Sequence, residues 1–169
     1  MTLFYSCSFL SPTDLEKVVY AFISSRLDYC NALYSGSSKG NIRRLQLIQN
    51  AAARLLTGSK RSDHITPTLA ALHWLPVSFR IDFKIWLVFK AVNGQAPAYI
   101  RDLLSPYEPK RCLRSAGTAL LSVLKFRGRA FTVCAPQLWN SLPCDLWQAS
   151  SVASFKSILK THFYHLAFS

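Results

Sequence analysis

Two runs of positive charge are the part of this sequence with the most chemistry in it. Between residues 39 and 61 stand Lys39, Arg43, Arg44, Arg54, Lys60 and Arg61, with no acid among them. Between 110 and 129 stand Lys110, Arg111, Arg114, Lys125, Arg127 and Arg129, again with no acid. The chain carries 20 Lys and Arg against 8 Asp and Glu, so these twelve cations equal its whole net charge of +12. Charge of one sign, gathered this way, suits a polyanion. At 100° per residue Arg43, Leu47, Asn50 and Arg54 share one helix face, opposite an apolar stripe of Ile42, Leu45, Ile48, Ala52 and Leu56. Arg and Asn on one face match phosphate oxygens and base edges or ribose hydroxyls. The plainer role for the same residues is a solvated helix face.

Other chemistries find little support. Metal-assisted phosphoryl transfer needs converging carboxylates, and the only close acids are Asp14 and Glu16. Those fall in a first helical turn, where acids complement the helix dipole. No Gly-x-x-x-x-Gly-Lys-Ser/Thr loop, Gly-x-Ser-x-Gly elbow or His-Glu-x-x-His pair occurs. His162 and His165 are three apart on the last helix, but His162 lies on its apolar side, which favours packing over a metal. His64 and His73 flank a short helix and suit structural hydrogen bonds. No Cys-x-x-Cys occurs among Cys7, Cys30, Cys112, Cys134 and Cys144, so neither a zinc ribbon nor a disulfide framework is indicated. Buried, reduced thiols are expected. Arg26 falls in the middle of an apolar stripe, where it needs either a buried partner or a stem laid along the surface. No cofactor, no metal and no catalysis are expected.

The elements that must position the cations read as helices. Ser11-Pro-Thr-Asp14 is a strong helix start, and Leu15, Val18, Val19, Phe22, Ile23, Leu27 and Cys30 follow helical spacing to about Leu33. Ser35-Gly-Ser-Ser-Lys-Gly40 breaks that helix. A second runs from about Asn41 to Leu56 and stops at Gly58, antiparallel to the first. A short third begins at Thr66-Pro67. From Val77 to Asn93 a longer helix is apolar all round, which places it at the centre of a core; Gly94 closes it. Pro97–Leu104 and Ala130–Leu142 are short helices, and Ser151 caps a last one from Val152 to about Ala167, with Phe155, Leu159, Phe163 and Leu166 as its core face. Residues 105–128 are irregular, with a strand or hairpin arm at Ala119–Phe126. The fold class is mainly α: a bundle-like array of about six or seven helices with at most one short β-hairpin.

Length and composition bound the rest. At 169 residues, half of them hydrophobic, the chain collapses rather than staying a disordered tail. Its longest stretch without Asp, Glu, Lys or Arg, His64 to Phe79, contains two prolines and two histidines, so no spanning helix is expected. The apolar start lacks a basic n-region. An intracellular place, nuclear or cytoplasmic, is expected.

Several of these segments resemble one family. Leu27-Asp-Tyr-Cys-Asn-Ala-Leu-Tyr-Ser-Gly36, Leu45-Gln-Leu-Ile-Gln-Asn-Ala-Ala-Ala-Arg54 and His73-Trp-Leu-Pro-Val-Ser-Phe-Arg-Ile-Asp-Phe-Lys84 are similar to LINE-type (non-LTR) retrotransposon polyproteins of the jockey-like kind. Asn93-Gly-Gln-Ala-Pro-Ala-Tyr99, Ala135-Pro-Gln-Leu-Trp-Asn-Ser-Leu-Pro143 and Phe155-Lys-Ser-Ile-Leu-Lys-Thr-His162 continue the resemblance in order, over about residues 9 to 168. The matching part looks like the carboxy-terminal region, downstream of the reverse transcriptase palm. The resemblance implies a thumb-like helical hairpin over 1–58 and a carboxy-terminal helical domain over 59–169. It implies partners in element RNA or target DNA and in the polymerase portion of the parent polyprotein, with no membrane and no small-molecule substrate. The family's aromatic-x-Asp-Asp motif and endonuclease acids are absent, so no catalytic residue carries over. Residues 1–8 depart from the family's preceding segment, which implies a truncated genomic copy. The other reading is a protein-interaction or inert remnant whose apolar surface packed on the missing polymerase.

Overall fold

Ser11 starts the first helix as its surroundings dictate: its Oγ accepts the Asp14 N–H at 3.2 Å and Pro12 takes the first helical position. The Ser11 hydroxyl and Lys17 both bond the Asp14 carboxylate, which holds Asp14 below its usual pKa. Helix α1 (Pro12–Val19) runs into a π turn (Tyr20–Ser24) and then α2 (Ser25–Asp28). The computed structural model describes residues 10–29, 31–107, 120–124 and 131–169.

The π turn rotates the buried face. Val19, Ser24 and Leu27 are buried, spaced five and three apart, whereas Val18 and Phe22 of the expected stripe are exposed. One extra residue in a turn shifts everything beyond it around the axis. Arg26 goes outward with Phe22, is exposed, and so needs no buried partner.

A 3-10 turn (Asn31–Tyr34) and Gly36, at φ 72°, lead to α3 (Lys39–Thr57). Ser38 caps its start, and Gly58 at φ 66° closes it in the left-handed cap that its sequence predicts. Its inner face differs from the expected stripe. Gln49, Ala52 and Ala53 are buried, Ile42, Leu45 and Leu56 half-buried, and Ile48 exposed. Two glutamines set this register. Gln49 Nε2 donates to the Leu75 carbonyl at 2.9 Å, and Gln46 Oε1 accepts the Val77 N–H at 2.8 Å. They satisfy the backbone of a turn that would otherwise bury unpaired polar groups. Replacing Gln49 by Met keeps helix propensity and volume but orphans the Leu75 carbonyl, so unfolding free energy should fall by about 1–2 kcal/mol in a denaturant titration. An unchanged midpoint would show that water takes over the bond.

Beyond α3 come α4 (Ile65–Ala71), α5 (Val77–Asp82), a 3-10 turn (Phe83–Ile85), α6 (Trp86–Val92) and α7 (Ala98–Arg101). The stretch Val77–Val92 is the apolar rod expected from its sequence. Val77, Ile81, Ile85, Val88, Phe89 and Ala91 are buried on several sides, and Gly94 at φ 69° follows it. Helices α8 (Phe131–Ser141), α9 (Cys144–Trp147) and α10 (Val152–Phe168) complete the chain. Pro136 sits buried inside α8. The core joins the rod to α8 and α10: Phe89 stacks on Phe155 at 4.3 Å, Trp139 on Trp147 at 5.9 Å, and Phe79 meets Phe163 at 5.5 Å. Leu166, expected in that core, is 60% exposed because α10 outruns the rod.

The fold is mainly α, and the described residues contain no strand. Of the hairpin expected near Ala119–Phe126 only residues 120–124 are described, and they make one antiparallel bridge, Pro106 to Leu121. Asn140 clamps it, donating to the Leu121 carbonyl at 2.8 Å and accepting the Leu121 N–H at 3.0 Å. Helix α3 packs on both α4 and α5, so packing crosses Gly58. Cys144, on the single surface turn α9, is exposed, and Cys134 on α8 is half-buried, so neither is buried as expected. No helix among the described residues is long and apolar enough to cross a membrane.

Candidate nucleic-acid interface

Helix α3 carries Lys39, Arg43, Arg44 and Arg54 and no acid, and two hollows open beside it, one toward each end. The first, about 550 Å³, lies between α3, the start of α4 and the turn before α5. Lys39 and Arg43, both exposed, stand over a floor of Ile42, Leu69 and Pro76, and Ser37, Thr66 and Ser78 supply hydroxyls. Asn50 lines the same hollow; its Oδ1 accepts from Gln46 Nε2 at 2.8 Å, which aims the rest of the amide. The second hollow, about 620 Å³, is lined by Leu47, Leu55, Arg54, Ser59 and Arg61. No lining residue of either hollow is acidic. Arg43 and Arg54 share a face as the wheel predicts, yet they serve different hollows.

Arg54 is also a structural residue. It is half-buried, and its Nε donates to the Lys60 carbonyl at 3.3 Å while Nη2 donates to the Asp63 carbonyl at 3.2 Å. The Asp63 carboxylate accepts the Lys60 N–H at 2.8 Å, closing the loop. Lys60 and Arg61 project from this pinned loop and are exposed. Arg44 is exposed and lines neither hollow. Lys110, Arg111, Arg114, Lys125, Arg127 and Arg129 all lie outside the described residues.

Polar residues that the periodicity did not single out fasten the molecule. Arg80 meets Asp28 in a two-pronged pair, Nε to Oδ1 at 3.0 Å and Nη2 to Oδ2 at 2.5 Å. Asn31 Nδ2 donates to the Arg80 carbonyl at 3.3 Å. Asp28, Asn31, Gln46, Gln49, Arg80 and Asn140 each join two separate segments of the chain. Of the histidines, His162 is half-buried beside Phe163, with ring centres 5.8 Å apart, and His165 is exposed. No three His, Cys, Asp or Glu residues gather to hold a metal among the described residues.

Asp82 sits half-buried at the end of α5, and burial pushes its carboxyl up from 3.8 to about 6. A raised carboxyl pKa stabilises the fold only while the proton is held. That contribution is full below about pH 4 and is lost as pH rises through about 6. Two pH units correspond to about 3 kcal/mol, which partial exposure reduces to about 1–2 kcal/mol. Asp82→Asn should therefore be the more stable protein at pH 8, with the difference vanishing toward pH 4, in paired urea titrations. A difference that is constant with pH would show that ionisation of Asp82 is not the cause.

Compared with known protein families, curated proteins and solved structures, the chain matches none of them.

Proposed function

We propose that this chain binds the sugar-phosphate backbone of RNA or DNA through α3 and its two flanking hollows, and that it has no catalysis of its own. The observation that carries the reading is the pair of acid-free hollows on one cationic helix. Backbone contact needs cations spaced along a strand, with hydroxyls and amides between them. Lys39, Arg43, Asn50 and Arg61 supply that row. In this reading the chain is a carboxy-terminal, non-catalytic part of a retrotransposon reverse-transcriptase polyprotein, acting inside the cell on element RNA or target DNA. The second run of six cations, Lys110 to Arg129, adds to the same net charge and lies outside the described residues.

A second reading has its own observation. Val18 and Phe22 on the first helix, and Leu47 and Ile48 on α3, are exposed apolar side chains. They suit a surface that packs on the polymerase portion. Filter retention of labelled single-stranded RNA, single-stranded DNA and duplex by the purified chain decides between the two. Retention at low salt that a Lys39→Gln, Arg43→Gln double variant weakens supports backbone binding. Failure to retain any of the three would overturn it and leave the packing surface. Primer extension or plasmid nicking with Mg²⁺, above a mock preparation, would overturn the absence of catalysis.

A further inference from the structure

A third cavity, of about 390 Å³, lies apart from the α3 hollows, among the π turn, the turn after α4, the rod and α10. Tyr20, Trp74 and Phe83 give it ring walls, and Lys84 and Lys160 give it charge. Its size falls in the usual range for small-ligand sites. Three features of its wall stand out.

Asn31, which lines it, is 1% exposed, and its Oδ1 accepts no hydrogen bond among the described residues. Flipping the amide does not help, because oxygen would then face the Arg80 carbonyl that Nδ2 now satisfies. A buried carbonyl oxygen without a donor is rare, and, being buried, this one lies out of a ligand's reach.

His73, also on the wall, holds φ 52°. It occupies the left-handed position of a Schellman end to α4, with Trp74 N–H to the Leu69 carbonyl at 2.9 Å and His73 N–H to the Ala70 carbonyl at 2.9 Å. Gly94 takes the same position after the rod. The His73 ring meets that of Tyr164, with ring centres 5.8 Å apart, which fixes it on this wall.

Lys84 and Lys160 have no carboxylate within ion-pair distance among the described residues, since Asp28, the cavity's own acid, is taken by Arg80.

We propose that this cavity binds a nucleoside 5′-monophosphate unit, with its phosphate on Lys84 and Lys160 and its base against the Tyr20 and Trp74 rings. Phosphate alone lacks the ring. An apolar ligand lacks the anion. The unit is either a free nucleotide or one residue of a strand, as a ligand and not a substrate.

The full chain is titrated with each of the four ribonucleoside 5′-monophosphates, and with inorganic phosphate and adenosine as half-ligands, following tryptophan fluorescence. At least one nucleotide should saturate with Kd on the order of 1 mM. Each half-ligand should bind at least about tenfold more weakly, and Lys84→Gln with Lys160→Gln should weaken the nucleotide by about tenfold or more. Tyr20→Ala, at a 67% exposed position, gives a second variant that leaves the core intact if the lysine pair fails to fold by circular dichroism. Saturation by none of the four nucleotides, or parent-like binding by the folded variants, would overturn the proposal. Lys39→Gln with Arg43→Gln should leave nucleotide binding unchanged, so strand retention without nucleotide binding defeats the cavity alone. In that double variant, an oligonucleotide that displaces the nucleotide identifies a strand residue as the ligand. One that does not identifies the free nucleotide.

Discussion

Arg80→Met should lower the unfolding free energy by about 3 kcal/mol, the largest single stability loss expected outside the apolar core. Methionine keeps the unbranched stem and the helix propensity of α5, so the loss reports the charge. Arg80 is largely covered, with 17% of its side chain exposed, and it closes both prongs on Asp28. Breaking a fully buried pair costs about 3–5 kcal/mol because the partner is left uncompensated. Asp28 is 42% exposed, so water recovers part of it and the lower end applies. The pair ties α2 to α5, and a denaturant titration of Arg80→Met, Asp28→Asn and the double variant should show a coupling of about 1–2 kcal/mol. Additive losses would mean that the two helices are held by packing alone. The lost pair also frees a carboxylate beside Lys84, so the nucleotide cavity should weaken with it.

That joint shows which parts of the molecule the sequence makes legible. Local signals act through a few neighbouring atoms and read well: Ser11 and Ser151 as caps, Gly58 and Gly94 as left-handed ends, and the Val77–Val92 rod from apolar residues on every side. Signals that depend on where another element lies do not. The stripes Val18–Phe22 and Ile48 rest on an unbroken 3.6-residue period, and the π turn and the Gln46 and Gln49 bonds each rotate the true inner face away from it. Apolar pattern alone cannot rank a glutamine above an isoleucine, because the glutamine is buried only once the Leu75 carbonyl needs it. The candidate site divides in the same way. The acid-free run over 39–61 is visible as composition, whereas the engagement of Arg54 by the loop at 60–63 is a tertiary fact. Tyr20, Trp74, Lys84 and Lys160, far apart in the sequence, meet around one cavity only in the folded chain.

Salt should act on strand binding by orders of magnitude, and its slope counts the segments involved. Six cations lie in the first run, and Arg54 is committed to its loop, which leaves five for phosphates. Five contacts give log-log slopes of about −4.5 on duplex and about −3.5 on a single strand. Between 50 and 200 mM salt, affinity should then fall roughly 100- to 500-fold. If the run from Lys110 to Arg129 also engages, so that six to ten phosphates are met, the fall grows to roughly 10³ to 10⁵-fold. Lys39→Gln with Arg43→Gln removes two exposed charges, and the duplex slope should flatten by about 1.8 while the unfolding midpoint stays put. Arg54→Gln should behave differently: it releases two backbone carbonyls, so about 1–2 kcal/mol of stability goes first and the slope follows the loop. A salt response that is flat in the parent would refute backbone binding outright. A slope unchanged in the Lys39 and Arg43 variant would instead move the interface off α3 and onto the second basic run.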